Sequence, residues 1–177
     1  MKQSRLQIMV CAGTGCVSNH SFDLKDAIDR ELKKHKLENE TEVVFTGCNG
    51  FCGAGPIVVV QPDGVFYKEL KTTDIPTLVE EHFLKGRPVK KFLYTPPLET
   101  VPIPKLMEIP FFADQTLIAL RNRGMIDPEK IEDYIARDGY KALAKVLTSM
   151  TPDQVLNEIK NSGLRGRGVG GFPTGIK

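Results

Sequence analysis

Residues 47–60 read GCNGFCGAGPIVVV, and residues 11–16 read CAGTGC. Together they hold every cysteine in the chain, Cys11, Cys16, Cys48 and Cys52, spaced C-x4-C and C-x3-C. Each pair follows an apolar run, LQIMV at 6–10 and EVVFT at 42–46, and each run reads as a buried strand. Loops leaving the same end of a sheet can bring four thiolates together at metal-bonding distance, roughly 2.3 Å. Glycines crowd both loops (Gly13, Gly15, Gly47, Gly50, Gly53, Gly55). That density is costly in chain entropy, and it suits a backbone that wraps closely around a ligand and turns its N–H groups toward sulfur. Three readings compete at this level: a 2Fe–2S cluster, a structural zinc ion, and thiols or disulfides. Zinc more typically uses C-x2-C knuckles and a redox dithiol C-x-x-C, so the x4 and x3 gaps favour the cluster.

Outward from the cysteines, the pattern predicts a small α/β domain. Residues 22–36 read as a helix capped by Ser21, with Leu24, Ala27, Ile28 and Leu32 on one face. IVVVQ at 57–61 is a third strand, Pro62-Asp63-Gly64 a hairpin turn, and 65–67 a fourth strand. A closing helix spans about 73–84, capped by Thr72 or Thr73, with Gly86 beyond it. The order β-α-β-β-β-α is the thioredoxin-like plan. Gly55-Pro56 stands where such folds often carry a cis proline, so a cis peptide is expected there.

Six of the twelve prolines then fall between residues 88 and 110 (Pro88, Pro96, Pro97, Pro102, Pro104, Pro110). Proline neither extends a helix nor serves a central strand, so 88–115 reads as an extended linker. Phe92, Leu93, Tyr94, Phe111 and Phe112 are expected to pin it to a partner surface. Helices follow at about 129–136, opened by Asp127-Pro128, at 140–149, and at 152–161 behind the capping box Thr151-Pro-Asp-Gln154. The expected domains are 1–87, the linker 88–115, and 116–177.

The totals exclude several classes. Of 177 residues, 41% are hydrophobic and 26% charged, with net charge +2, so no strong field argues for nucleic acid. No run approaches the ~20 apolar residues of a membrane span. The start, MKQSRLQIMVCAG, lacks the apolar core of a signal peptide. A cytoplasmic, reducing setting is expected, in which paired cysteines favour metal ligation. The three histidines, His20, His35 and His82, are scattered and read as packing or solvated residues. No carboxylate is assigned a catalytic role.

The motifs CAGTGC and GCNGFCGAGPIVVV closely resemble the thioredoxin-like 2Fe–2S ferredoxin domain over about residues 6–85. The resemblance implies one 2Fe–2S cluster on Cys11, Cys16, Cys48 and Cys52. The far end, SGLRGRGVGGFPTGIK at 162–177, has six glycines in its last fifteen residues, with Arg165, Arg167 and Lys177 among them. By composition it suits a loop of main-chain N–H groups facing a phosphate, and matches neither a P-loop nor a Rossmann fingerprint. It resembles the opening of the flavin site in the NADH-binding subunit of complex I and of soluble NAD-linked hydrogenases and formate dehydrogenases. That resemblance implies that Gly166, Arg167, Gly168, Gly170 and Lys177 line FMN, and that Gly171 and Phe172 lie toward the nicotinamide of NAD(H). Val169 stands where many relatives have glycine.

A ferredoxin domain joined to the start of a flavin subunit resembles the flavin subunit of multimeric iron hydrogenases, including electron-bifurcating ones. The implied role is electron relay between FMN and iron–sulfur clusters, with other iron–sulfur subunits as partners, no nucleic acid, no membrane span, and homodimerisation open. The 177-residue chain is expected to hold its cluster, to bind FMN poorly, and only to carry electrons, with NAD(P)H oxidation belonging to the parent subunit. Rival readings are a cluster or zinc module that only docks partners, and a thiol-disulfide oxidoreductase.

Overall fold

The computed structural model describes residues 4–177 and divides into two compact units, one ending at Lys130 and the other Ile131–Lys177. The first is built on a four-stranded sheet in the order β2-β1-β3-β4, from β1 (Leu6–Cys11), β2 (Thr41–Thr46), β3 (Val58–Gln61) and β4 (Val65–Tyr67). Strands β1 and β2 are parallel, joined across α1 (Thr14–Ser18) and α2 (Ser21–Lys34). Strands β3 and β4 continue antiparallel through the hairpin. This is the thioredoxin-like α/β plan. The Gly55–Pro56 peptide is cis, and so is Gln61–Pro62.

The strands are apolar at almost every position because both faces of the sheet are covered. On one face Ile8, Val10, Val58, Val60 and Tyr67 meet Leu24, Ile28 and Leu32 of α2. The stretch after β4 packs there too. It runs from a 3₁₀ turn (Thr72–Asp74) through α3 (Ile75–Leu78) into a π-helical segment (Val79–Leu84), contributing Ile75, Leu78, Val79 and Phe83. The cap of this stretch is not Thr72 or Thr73: the Asp74 carboxylate accepts the Lys71 N–H at 3.0 Å. Ser21 does not cap α2 either. It is the first helical residue, fully buried, and His20 precedes it in the left-handed region at φ 65°.

The opposite face carries Met9, Cys11, Val44, Ile57, Val59 and Phe66. What covers it is the proline-rich stretch expected to be a linker, with Leu106, Ile109 and Phe112 buried against the sheet and Tyr94 and Ile103 half-buried. Backbone hydrogen bonds stitch this stretch to the edge strand and its turn: Phe66 N–H to Pro104 O at 2.8 Å, Lys68 N–H to Phe92 O at 3.0 Å, and Leu106 N–H to Gly64 O at 2.9 Å. A short helix α4 (Pro110–Ala113) seats Phe112. The aromatic residues that a linker would offer to a partner are used within the unit. The prolines exclude regular structure here without excluding packing.

In the second unit, α5 (Ile131–Ala136), α6 (Lys141–Ser149) and α7 (Pro152–Asn161) follow one another. Asp127 Oδ1 accepts the Glu129 N–H at 3.0 Å, but the helix itself begins at Ile131. The capping box is formed at α7, with Gln154 N–H on Thr151 Oγ1 at 3.3 Å and Thr151 N–H on Gln154 Oε1 at 2.8 Å. The glycine-rich stretch folds back on α7. Gly166 N–H bonds Phe172 O and Thr174 N–H bonds Leu164 O, each at 2.9 Å. At Gly175 a Cβ would lie 2.5 Å from Lys160 Cα, so only glycine fits.

Candidate metal centre

The parallel register decides the site. Cys11 pairs with Thr46, so β1 and β2 end level, and each then enters its cysteine loop. Cys11 N–H donates to Ile57 O at 3.0 Å and Ala12 N–H to Thr46 O at 2.9 Å, which carries the ladder to the mouth of both loops. Cys16 sits on α1, whose first turn is closed by Cys16 N–H to Gly13 O at 2.9 Å. Cys52 opens a 3₁₀ turn, Cys52–Ala54, that leads through Pro56 into β3.

The two loops interlock. A Cβ at Gly13 would stand 2.8 Å from Cys48 Cβ and 2.9 Å from its Sγ. One at Gly15 would stand 3.1 Å from Cys52 Cβ, and one at Gly55 3.1 Å from Cys16 Sγ. Thiols pair within each motif: Cys11 raises the pKa of Cys16, and Cys48 that of Cys52, as close neighbours do. Cys16 also senses Cys52, and Cys52 senses Cys11. All four are free thiols, Cys11 and Cys16 buried, Cys48 and Cys52 exposed.

Electrostatics favour a cationic occupant. Burial first, and then the hydrogen bond to Cys11, pushes the Cys16 thiol up to about 12. The hydrogen bond to Cys48 holds the Cys52 thiol above its ordinary value. Four thiolates here would repel one another unless metal ions supplied the opposing charge. Among the described residues, no group of three or more His, Cys, Asp or Glu is gathered so as to hold a single ion. A 2Fe–2S cluster asks for something else, two pairs of thiolates with one pair on each iron, and the sulfurs stand as two pairs. The backbone supports the same reading, since Gly50 N–H, at φ 77°, donates to Cys48 Sγ at 3.3 Å.

A family model described as thioredoxin-like [2Fe-2S] ferredoxin matches residues 1–82. The 2Fe-2S ferredoxin of Clostridium pasteurianum is 40% identical over 76 residues, which are 43% of this chain and 74% of that protein. The chain belongs to the thioredoxin-like 2Fe–2S ferredoxin family. Two further relatives are far longer than the stretch they share. The NADP-reducing hydrogenase subunit HndC of Solidesulfovibrio fructosivorans is 67% identical over 63 residues, 36% of this chain and 13% of that protein. An NADH-quinone oxidoreductase subunit of Rhizobium meliloti is 47% identical over 60 residues, 34% of this chain and 14% of that protein.

The residues expected to meet FMN and NAD(H) lie in the second unit. Gly166, Arg167, Gly168, Gly170, Phe172 and Lys177 are exposed, and Gly171, at φ 56°, is half-buried. None of the histidines approaches the cysteines' role. His20 pairs with Asp23, His35 with Glu31, and His82 Nδ1 lies 2.9 Å from the Tyr67 hydroxyl in the core. Sequence reasoning missed Asn49 and Phe51, the residues between the second cysteine pair. Asn49 is 1% exposed, and Phe51 stacks against Phe66, Tyr94, Phe111 and Phe112 with ring centroids 5.0–6.0 Å apart. Phe51 was legible only as an apolar residue inside a polar, glycine-rich loop.

Proposed function

We propose that this chain is the electron-transfer arm of an NAD(P)-linked flavoprotein oxidoreductase, with Cys11, Cys16, Cys48 and Cys52 holding one 2Fe–2S cluster. The convergence of the four thiols as two pairs on interlocked glycine loops carries this reading. A bound cluster supplies a one-electron couple. The protein's own groups set its conditions. The Gly50 N–H on Cys48 Sγ withdraws charge from sulfur, which favours the reduced state. Cys11 and Cys16 are shielded by the sheet, so the Cys48 and Cys52 edge is the side on which a redox partner approaches.

The relatives named as an NADP-reducing hydrogenase subunit and an NADH-quinone oxidoreductase subunit support the parent class. In that parent, FMN and NAD(H) are the further cofactors, and other iron–sulfur subunits are the partners. Residues 131–177 open the flavin domain, with Gly166, Arg167, Gly168, Gly170 and Lys177 toward FMN and Gly171 and Phe172 toward nicotinamide. Among the described residues no helix is long and apolar enough to cross a membrane, and a cytoplasmic setting is part of the proposal.

Anaerobic reconstitution with iron and sulfide tests the centre. The expected product binds about two irons and two sulfides per chain and shows visible bands that dithionite bleaches. Cys16→Ser and Cys48→Ser should each lose iron. A colourless chain that takes up one zinc ion instead sinks the reading, as does disulfide reductase activity that Cys48→Ser abolishes while iron content stays unchanged.

A further inference from the structure

The stretch after α4 returns to the second cysteine loop. Gly50 packs against it: a Cβ there would stand 3.8 Å from Arg123 Nη1 and 3.8 Å from Phe111 Cζ. One residue on, a Cβ at Gly124 would stand 3.2 Å from Asn49 Oδ1. Gly50 in turn donates its N–H to Cys48 Sγ at 3.3 Å. A single glycine therefore separates Arg123 from a proposed cluster ligand. With ordinary bond lengths across that glycine, Arg123 Nη1 lies within about 10 Å of Cys48 Sγ.

The guanidinium is held in place. Its Nη2 donates to Gln115 Oε1 at 3.3 Å, and its Cζ stands 5.7 Å over the ring of Phe112, which is itself buried against the sheet. Gln115 is neutral, so this hydrogen bond orients the charge without cancelling it. Arg123 is half-buried, and a partly buried charge is screened less than one in open water. An arginine also stays charged at every working pH. An electron arriving at the cysteine site adds one negative charge there and makes or breaks no bond. A fixed cation at this distance favours the reduced state through its field, without touching sulfur. A merely structural tie would be served as well by a neutral side chain stacked on Phe112 and bonded to Gln115.

We infer that Arg123 sets the reduction potential of the centre held by Cys11, Cys16, Cys48 and Cys52, raising it through the field of a guanidinium fixed beside Gly50. This inference rests on the proposed 2Fe–2S cluster.

The test is a redox titration of the full cluster-loaded chain, with dithionite as the one-electron reductant and the visible bands as the readout. Poised at the midpoint of the parent chain, Arg123→Gln should show a reduced-to-oxidised ratio about threefold to tenfold lower. Arg123→Lys keeps the charge and should recover most of that loss. Raising the salt concentration should narrow the gap between Arg123→Gln and the parent. Iron content shows that each variant is loaded. If Arg123→Gln loads poorly, Arg123→Met, whose stem still covers the Phe112 ring, carries the same expectation. An unshifted ratio in a loaded neutral variant, or an equal shift in Arg123→Lys, overturns the inference and leaves the cluster reading standing. A parent chain that takes up no iron sinks the cluster reading itself, and the role of Arg123 with it.

Discussion

Gly13 and Gly53 belong to the same site and should respond oppositely to one added methyl group. At Gly13 the new carbon falls 2.8 Å from Cys48 Cβ, closer than real contacts allow, while at Gly53 nothing lies within 4 Å. Gly13→Ala is therefore expected to lose most of its iron on reconstitution, and Gly53→Ala to match the parent chain, with iron and sulfide assays deciding. A second residue-level prediction concerns the core. The Tyr67 hydroxyl accepts the Val89 N–H at 3.2 Å and is paired with His82 Nδ1. Tyr67→Phe leaves both without a partner and should cost about 1–3 kcal/mol in denaturant melts. Burial, assisted by Arg5 and opposed by Asp63, holds His82 below the ordinary histidine value of 6.5. The unfolded chain thus takes up this proton first as pH falls. His82's contribution is fully present above about pH 6.5 and is lost as pH drops toward its folded value. Melts of parent chain and His82→Gln across that window should show the slope in the parent only.

At the scale of elements, the proline-rich stretch is the surprise. Its composition says what the backbone cannot do, which is to form a helix or a central strand. It does not say which surface the side chains will meet. The alternation within β3 was the available clue. VVV at 58–60 is apolar toward both faces, so a second covering layer was required. Leu106, Ile109 and Phe112 supply it, and Phe112 also braces Phe51 inside the cysteine loop. Phe112→Ala is expected to cost about 3–5 kcal/mol of stability and to loosen iron retention. Chelator-release rates check the second part. Unchanged release would mean that the aromatic contacts do not hold the loop. The strands and α2 were legible from period and turn residues within a residue or two. The small helix α1 was not, because Gly13 and Gly15 suggest a loop, while its first turn is closed by backbone bonds to Gly13 O.

For the whole molecule, the division at residue 130 predicts that a chain shortened to residues 1–130 folds and assembles its cluster, whereas one ending at residue 87 exposes the second sheet face. The measurement is cooperative unfolding and iron content of the two chains. Equal stability would mean that the stretch 88–114 only decorates the sheet. The same comparison separates the fold from the proposed parent activity, since the residues proposed to meet FMN and nicotinamide lie wholly within 131–177.

By itself the sequence determined the two cysteine pairs, the glycine loops that let them approach, the order of strands and helices in the first unit, and the capped helix before the glycine-rich end. These are local properties, written in spacing, periodicity and turn chemistry. The tertiary structure alone decided that the proline-rich stretch is a layer of the domain, that Gly13 meets Cys48, and that Asn49 of the second cysteine loop is buried. Each depends on which distant surface a segment meets. That is settled by the parallel register of β1 with β2 and by burial across the sheet, neither of which leaves a mark at the residues concerned.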